Sequence, residues 1–320
     1  PLDVALDRLG RPLRDLRISV TDRCNFRCRY CMPREEFGKS HDFIPKTEIL
    51  SYEEITNFVK ACEPLGLRKV RITGGEPLLR KDLHHLVRLL SSMDMEVALT
   101  TNGSLLENNA ADLAESGLSR VTISLDAIDQ EVHSKITDSK VSVTDILDGI
   151  SAAIRYELGP VKINCVVQRG VNEHQIPKLV RKFRGTGVIV RFIEFMDVGS
   201  TNGWTQGQVV PTSEIIDFLS SEFDLIPLAR KSASDVASRW AHSDDSGEIG
   251  FISSVSQPFC GDCVRARLSS DGKFFTCLFT TTGHDMSALI KSGGKTEVLT
   301  QSIEEVWSAR KDRYLSLIHI

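Results

Sequence analysis

The sequence lacks the features that would place it in a membrane or along a nucleic acid. No run of 18 apolar residues occurs in its 320 residues, so no transmembrane helix is expected. The opening PLDVALDRLG has no basic stretch followed by an apolar one, so it does not read as a signal peptide. There is no basic excess. The 39 Lys+Arg against 43 Asp+Glu leave a net charge of −4, where a nucleic-acid surface shows surplus positive charge. Strict repeats and low-complexity segments are missing too, which removes support for repeat architectures. What is there is an ordinary soluble composition, 41 % hydrophobic and 26 % charged, on a chain long enough to bury a sizeable core.

The eight cysteines are distributed unevenly. Cys24, Cys28 and Cys31 form one triplet and Cys260, Cys263 and Cys277 a second, while Cys62 and Cys165 stand alone. With no export signal the expected compartment is the cytoplasm, where thiols stay reduced, so clustered cysteines point to metal or redox chemistry rather than disulfides. Cys62 and Cys165 sit among apolar neighbours and read as core packing, and His84 and His85 as a solvated helix face.

Strand signals at residues 16–21, 69–73, 96–101, 120–125, 161–167 and 188–196 alternate with helical stretches. Ser51 and Glu54 form a capping-box pattern before an apolar helical run, and further helices are expected at 82–93, 105–117, 143–157 and 175–185. Six β–α units favour a parallel sheet with helical crossovers: a partial barrel, with a Rossmann-like sheet still open. Beyond Met196 come a loop, a helix near 215–223, a polar stretch at 229–248 and a β-rich segment at 249–282. The expected boundary falls near 197–210.

The first triplet has the spacing C-x3-C-x2-C and follows directly on the first strand. Three thiolates on one short loop suit three irons of a [4Fe–4S] cluster, leaving the fourth iron open to a small ligand. A zinc site borrowing a distant fourth ligand is the alternative, although zinc ligands usually come in C-x2-C pairs. With Tyr30 before the last Cys, this motif resembles the signature of radical S-adenosylmethionine (SAM) enzymes. Gly74-Gly75-Glu76-Pro77 at the next strand end, Leu99-Thr-Thr-Asn-Gly103 and Ser124-Leu-Asp126-Ala follow in that family's order. The resemblance implies a partial (β/α)6 TIM-like barrel of the radical SAM type, with a C-terminal β-rich extension carrying a second iron–sulfur cluster. The expected domains are 1–197 and 198–320.

The second triplet, C-x2-C-x13-C, opens like a zinc ribbon, but no fourth ligand stands at ribbon spacing. Both triplets together, with VRFIEFM and FCGDCVRARLSSDGKFFTCLF, resemble the GTP 3′,8-cyclase family of molybdenum cofactor biosynthesis. That resemblance implies two [4Fe–4S] clusters, SAM as cofactor and GTP as substrate. It implies SAM contacts at Tyr30, Gly75, Ser124 and Met196. Its GTP positions are Arg17, Lys69, Arg71, Thr100, Lys162, Arg191, Arg265, Ala266 and Arg267, and it implies no catalytic side chain beyond the cluster ligands. An external one-electron reductant, a homodimer and cyclic pyranopterin monophosphate synthase as the next pathway enzyme are also implied.

The residues themselves favour a polyanion. Arg17, Ser19 and Thr21 share one strand face by period-two alternation, as do Lys69, Arg71 and Thr73, and Lys162 and Asn164. Basic side chains inside apolar strands are costly unless a partner is bound between them. Arg191 and Met196 fall on opposite faces by the same alternation, so either a bulge intervenes or one of them misses the site. The family's chains close in a Gly-Gly tail. This sequence begins at Pro1 and ends Tyr314-Leu-Ser-Leu-Ile-His-Ile320, so the expectation is a fragment, or altered last residues, that binds clusters and SAM but cyclises GTP poorly. Turnover beside a chain ending in Gly-Gly tests that expectation. The competing functions are a peptide-modifying radical SAM enzyme with an auxiliary cluster and a zinc-stabilised nucleotide-binding module.

Overall fold

The computed structural model describes residues 4–197, 203–232 and 234–314; the closing residues 315–320, on which the tail expectation rests, lie outside them. Six parallel strands, β1 (Asp15–Ser19), β2 (Lys69–Thr73), β3 (Glu96–Thr101), β4 (Arg120–Ser124), β5 (Lys162–Val167) and β6 (Ile189–Glu194), pair in chain order. Each after β1 is reached through a helical crossover: α1 (Tyr52–Cys62), α2 (Leu83–Ser91), α3 (Ala110–Glu115), α4 (Gln130–Thr137) with α5 (Val143–Arg155), and α6 (Ile176–Phe183). The alternation along each strand explains the layering. Leu16, Ile18, Val70, Ile72, Ile163 and Phe192 point outward and are buried beneath the helices, while Arg17, Arg71, Lys162 and Arg191 point into the lumen. Cys62 and Cys165 are buried in that apolar shell.

The chain after β6 adds to both edges of the same sheet. Following α7 (Thr212–Ser220), strands β7 (Leu225–Leu228), β8 (Ser238–His242) and β9 (Glu248–Ile252) form a meander whose last strand pairs parallel with β6. Strand β10 (Arg265–Leu268) then pairs parallel with β1 and continues antiparallel into β11 (Lys273–Phe275) and β12 (His284–Asp285). The parallel core is thus eight strands, β10-β1-β2-β3-β4-β5-β6-β9, left unpaired between β9 and β10 among the described residues. Two final helices, α8 (Ser287–Lys291) and α9 (Thr296–Ser308), pack on α1, with Thr300 Oγ1 donating to the Ala61 carbonyl at 2.9 Å. No helix among the described residues is long and apolar enough to cross a membrane.

The capping box forms: Glu54 N donates to Ser51 Oγ, and the Glu54 carboxylate accepts from Ser51 N. Helices α4, α8 and α9 were not expected from the sequence. In α4 (QEVHSKIT) the buried side is His133, Ile136 and Thr137, too polar to register as an apolar stripe, although Asp129 caps it by accepting from the Glu131 and Val132 amides.

Candidate active site

The first cysteine loop leaves the C-terminal end of β1 and is stitched down on three sides. The Gly75 amide donates to the Thr21 carbonyl and the Glu76 amide to that of Arg23, both at 2.8 Å. This contact requires glycine, since a Cβ at position 75 would stand 2.2 Å from the Arg23 oxygen. The amides of Arg27 and Arg29 donate to the Thr137 and Ile136 carbonyls at the end of α4, at 2.8 and 3.1 Å. Tyr30 donates its hydroxyl to Asp126 beyond β4 at 2.7 Å, and Asn102 beyond β3 donates to the Asn25 side chain at 2.8 Å. Glu76 faces inward. Its carboxylate accepts from Thr101 Oγ1 and the Leu78 and Asn102 amides, so it ties the turn after β2 to the end of β3. Cys24 and Cys28 are half-buried and Cys31 is exposed. Burial pushes the Cys28 thiol well up, and Asp126, Cys31 and Cys24 add to it, so the three thiols sense one another.

Below this loop the lumen holds two adjoining chambers. The upper, about 210 Å³, is lined by Arg17, Arg71, Thr100, Arg191, Met196, Arg265 and Arg267, with Ile193, Ile252, Phe259 and Phe279 as apolar wall. The lower, about 390 Å³, opens among the first residues of the strands, with Lys69, Arg120, Lys162 and Arg239 facing Asp15, Asp235 and Glu248. Arg17, Arg71, Arg191 and Arg265 line both. Strand register sets Arg267, Arg17 and Arg71 level, with Ala98 next in the row. The space beside Ala98 lets Arg71 reach Thr100 and Thr122 at 3.1 and 3.3 Å. Gly250, opposite Arg191, has the same effect: a Cβ there would stand 2.9 Å from the Arg191 side chain. Arg191 donates to Asn164 at 2.9 Å.

These cations repel one another in a poorly solvated space. Burial, Arg267 and Arg265 hold the Arg17 guanidinium well below its usual range, and its Nε has no hydrogen-bond partner among the described residues. Burial with neighbouring arginines brings Arg191 and Arg267 down to about 10. Burial, Arg191 and Arg120 bring Lys162 down to about 8. A bound polyanion relieves all of these costs together.

The second triplet borders the upper chamber, with Cys260, Cys263 and Cys277 all on its wall. Burial raises the Cys263 thiol, but Arg265, the Arg265 amide and Arg310 outweigh it and bring the thiol down to about 7. Among the described residues no three His, Cys, Asp or Glu side chains converge on a single metal ion. Cluster ligands have no such need, because each thiolate of a cubane serves a different iron.

A model of the radical SAM superfamily matches residues 18–183, and one described as Molybdenum Cofactor Synthesis C matches 188–316. Among curated relatives, the GTP 3′,8-cyclase of Acidothermus cellulolyticus is 48 % identical over 97 % of this chain and 88 % of its own. That of Staphylococcus epidermidis is 46 % identical over 98 % and 92 %. The chain belongs to the GTP 3′,8-cyclase family of the radical SAM superfamily. Its fold is similar to that of Streptococcus suis SuiB, solved bound to S-adenosylmethionine, with a TM-score of 0.64 at 15 % identity over 97 % of this chain and 68 % of that one. Membership implies SAM and iron–sulfur cluster use, and the first loop fits such a group: three soft thiol donors on the loop after a strand end, with Cys31 solvent-exposed.

Of the expected contact residues, Arg17, Lys69, Arg71, Thr100, Lys162, Arg191, Met196, Arg265 and Arg267 line the two chambers, while Tyr30, Gly75 and Ser124 line neither and lie at the first cysteine loop and the strand ends. Arg191 and Met196 line one chamber despite the alternation, because β6 ends at Glu194 and the backbone then leaves the strand path. Ser124 ends β4 beside Asn164. Ala266 faces away from the lumen: its side chain is fully buried on the outer face of β10, so only its backbone belongs to the lumen strand. Glu194, marked in the sequence only as a lone acid in an apolar run, is a fully buried carboxylate that accepts from the Thr212, Val255 and Ser256 amides and the Ser256 hydroxyl. Trp204 donates its indole N–H to the Phe195 carbonyl, Trp240 packs edge-on against Phe251, and His85 lies by Glu53 on the surface.

Proposed function

We propose that this chain is a GTP 3′,8-cyclase that converts GTP to (8S)-3′,8-cyclo-7,8-dihydroguanosine 5′-triphosphate, the step that opens molybdenum cofactor biosynthesis. In this reading Cys24, Cys28 and Cys31 hold a [4Fe–4S] cluster that binds SAM, and Cys260, Cys263 and Cys277 hold a second that faces the guanine. Residues 1–197 form the radical-generating part and 198–320 the part that carries the second cluster. When bound, the first cluster and SAM would supply a 5′-deoxyadenosyl radical that takes the C3′ hydrogen of GTP to give 5′-deoxyadenosine, and after C3′ bonds to C8 one electron from the external reductant and a proton would complete the 7,8-dihydro product.

The chain's own residues do the positioning. Tyr30, Gly75, Ser124 and Met196 surround SAM. Lys69, Arg71, Lys162 and Arg191, from three different strands, take the triphosphate together with Arg17, Arg265 and Arg267. Thr100, bonded to Arg71, holds that guanidinium toward the substrate. The apolar wall of Ile193, Ile252, Phe259 and Phe279 keeps water from the carbon radical. One observation carries this reading: a cationic lumen whose upper chamber ends on a cysteine triplet. An external reductant, a homodimer, cyclic pyranopterin monophosphate synthase downstream and a cytoplasmic location belong to the same proposal.

Iron and sulfide analysis together with anaerobic turnover tests it. About eight irons per chain, and 5′-deoxyadenosine that forms from SAM and reductant only when GTP is present, are the expected results. Stoichiometric zinc, or a peptide replacing GTP as the trigger, overturns it.

A further inference from the structure

The loop that carries the second triplet is gripped by residues from both ends of the described chain. Arg11, ahead of β1, donates Nη1 to the Cys260 carbonyl at 2.7 Å and to the Asp312 carbonyl at 2.9 Å. Arg310, just past α9, donates Nη1 to the Cys263 carbonyl at 2.7 Å. Both guanidiniums share one carboxylate, Asp7, at 2.6 and 3.3 Å. All three side chains are almost wholly buried, with 3 %, 2 % and 0 % of their surface exposed. The assembly continues to the third cysteine, since Thr276 Oγ1 donates to Asp312 at 2.5 Å beside Cys277. Trp307 closes it from below, donating its indole N–H to the Arg11 carbonyl while Arg310 lies over its ring.

Two arginines meet two carboxylates here, the fully buried Asp7 and the partly exposed Asp312 at 3.8 Å from Arg310 Nε, so the group beside the three thiols is close to neutral. Burying such a network is costly for stability alone, and apolar residues would fill the space at less cost. The arrangement makes sense where the Cys260 and Cys263 carbonyls must keep a fixed direction, as beside coordinated thiolates. We infer that Arg11 and Arg310, bridged by Asp7, are positioning residues that fix the Cys260–Cys263 loop as the cradle of the second cluster. The inference rests on the two-cluster reading above. The clamp also makes correct docking of both chain ends a condition for a formed second site, while the first site is held independently by the ends of β2, β3 and α4.

The test uses the reconstituted full chain and Arg310→Met. Outer-sphere partners of metal ligands typically contribute about 10–100-fold in metal affinity. Under an iron-chelator challenge that leaves wild type at about eight irons per chain, Arg310→Met is expected to fall to about four. Its SAM affinity and the electron paramagnetic resonance signal of the SAM-bound cluster stay unchanged. Arg310→Lys, which keeps the charge and one donor, retains more iron than Arg310→Met. If Arg310→Met does not fold, Arg310→Lys is judged against wild type by the same challenge. Equal iron retention in variant and wild type overturns the inference, as does a parallel loss of SAM affinity. A wild type that loads only about four irons before any challenge overturns the two-cluster reading instead.

Discussion

A Cβ at position 75 would stand 2.2 Å from the Arg23 carbonyl oxygen and 3.0 Å from the Cys24 amide nitrogen. The turn after β2 and the first cysteine loop therefore touch backbone to backbone, and one methyl group is enough to part them. Gly75→Ala is expected to cost about 1–3 kcal/mol of stability as overpacking. The chain still folds, because the contact is at the loop rather than in the core. The larger effect falls on SAM, whose affinity by calorimetry should drop while GTP affinity holds; an unchanged SAM affinity would refute the assignment. The GGEP motif was legible in the sequence, and the resemblance pointed to Gly75, but the role of Glu76 was not legible. Only the structure shows that Glu76 spends its carboxylate on Thr101, Leu78 and Asn102, leaving the backbone turn and its glycine as the part that meets the cysteine loop.

The six strands were readable as elements because outward apolar and inward basic residues alternate along β1, β2, β5 and β6, and the helices between them, α4 apart, from their apolar stripes. The period told which side chains share the lumen. It gave no information on where a strand stops, and that decided Arg191 against Met196. The end of β6 is fixed by Glu194, whose signal in the sequence is a lone acid in an apolar run and whose partners lie 18 to 62 residues away. Glu194 binds the first amide of α7 and the amides of Val255 and Ser256, on the segment that leads to Cys260. In Glu194→Gln an amide N–H₂ must face backbone N–H donors, leaving buried donors unsatisfied at about 1–3 kcal/mol. The expected outcome is a lower melting temperature and faster hydrogen exchange at Val255 and Ser256, with exchange in β1–β3 unaltered. Protection that stays at the wild-type level at those two amides would remove Glu194 from this role.

Over the whole molecule the charge of −4 conceals a separation: cations line the lumen, and acids such as Glu131, Glu214 and Glu222 sit on the outer helices and their connections. The sequence showed the basic residues strand by strand. Their convergence into two chambers depends on β9 and β10 extending the barrel at both edges, which no local pattern announces. The free lumen holds these cations against one another, and Lys162 records the strain with a pKa brought down to about 8 by burial, Arg191 and Arg120. Binding a triphosphate reverses that pressure and raises the Lys162 pKa. Below pH 8 the ammonium is already charged and binding takes up little proton. Above pH 8 the free protein has lost the proton that the complex needs, so affinity falls as pH rises, by up to about tenfold per unit for one group. GTP titrations from pH 7.5 to 9 should show this decline in wild type. Lys162→Arg, which stays charged over that range, should bind with a visibly flatter profile. Equal slopes in the two proteins would mean that Lys162 does not face the phosphates.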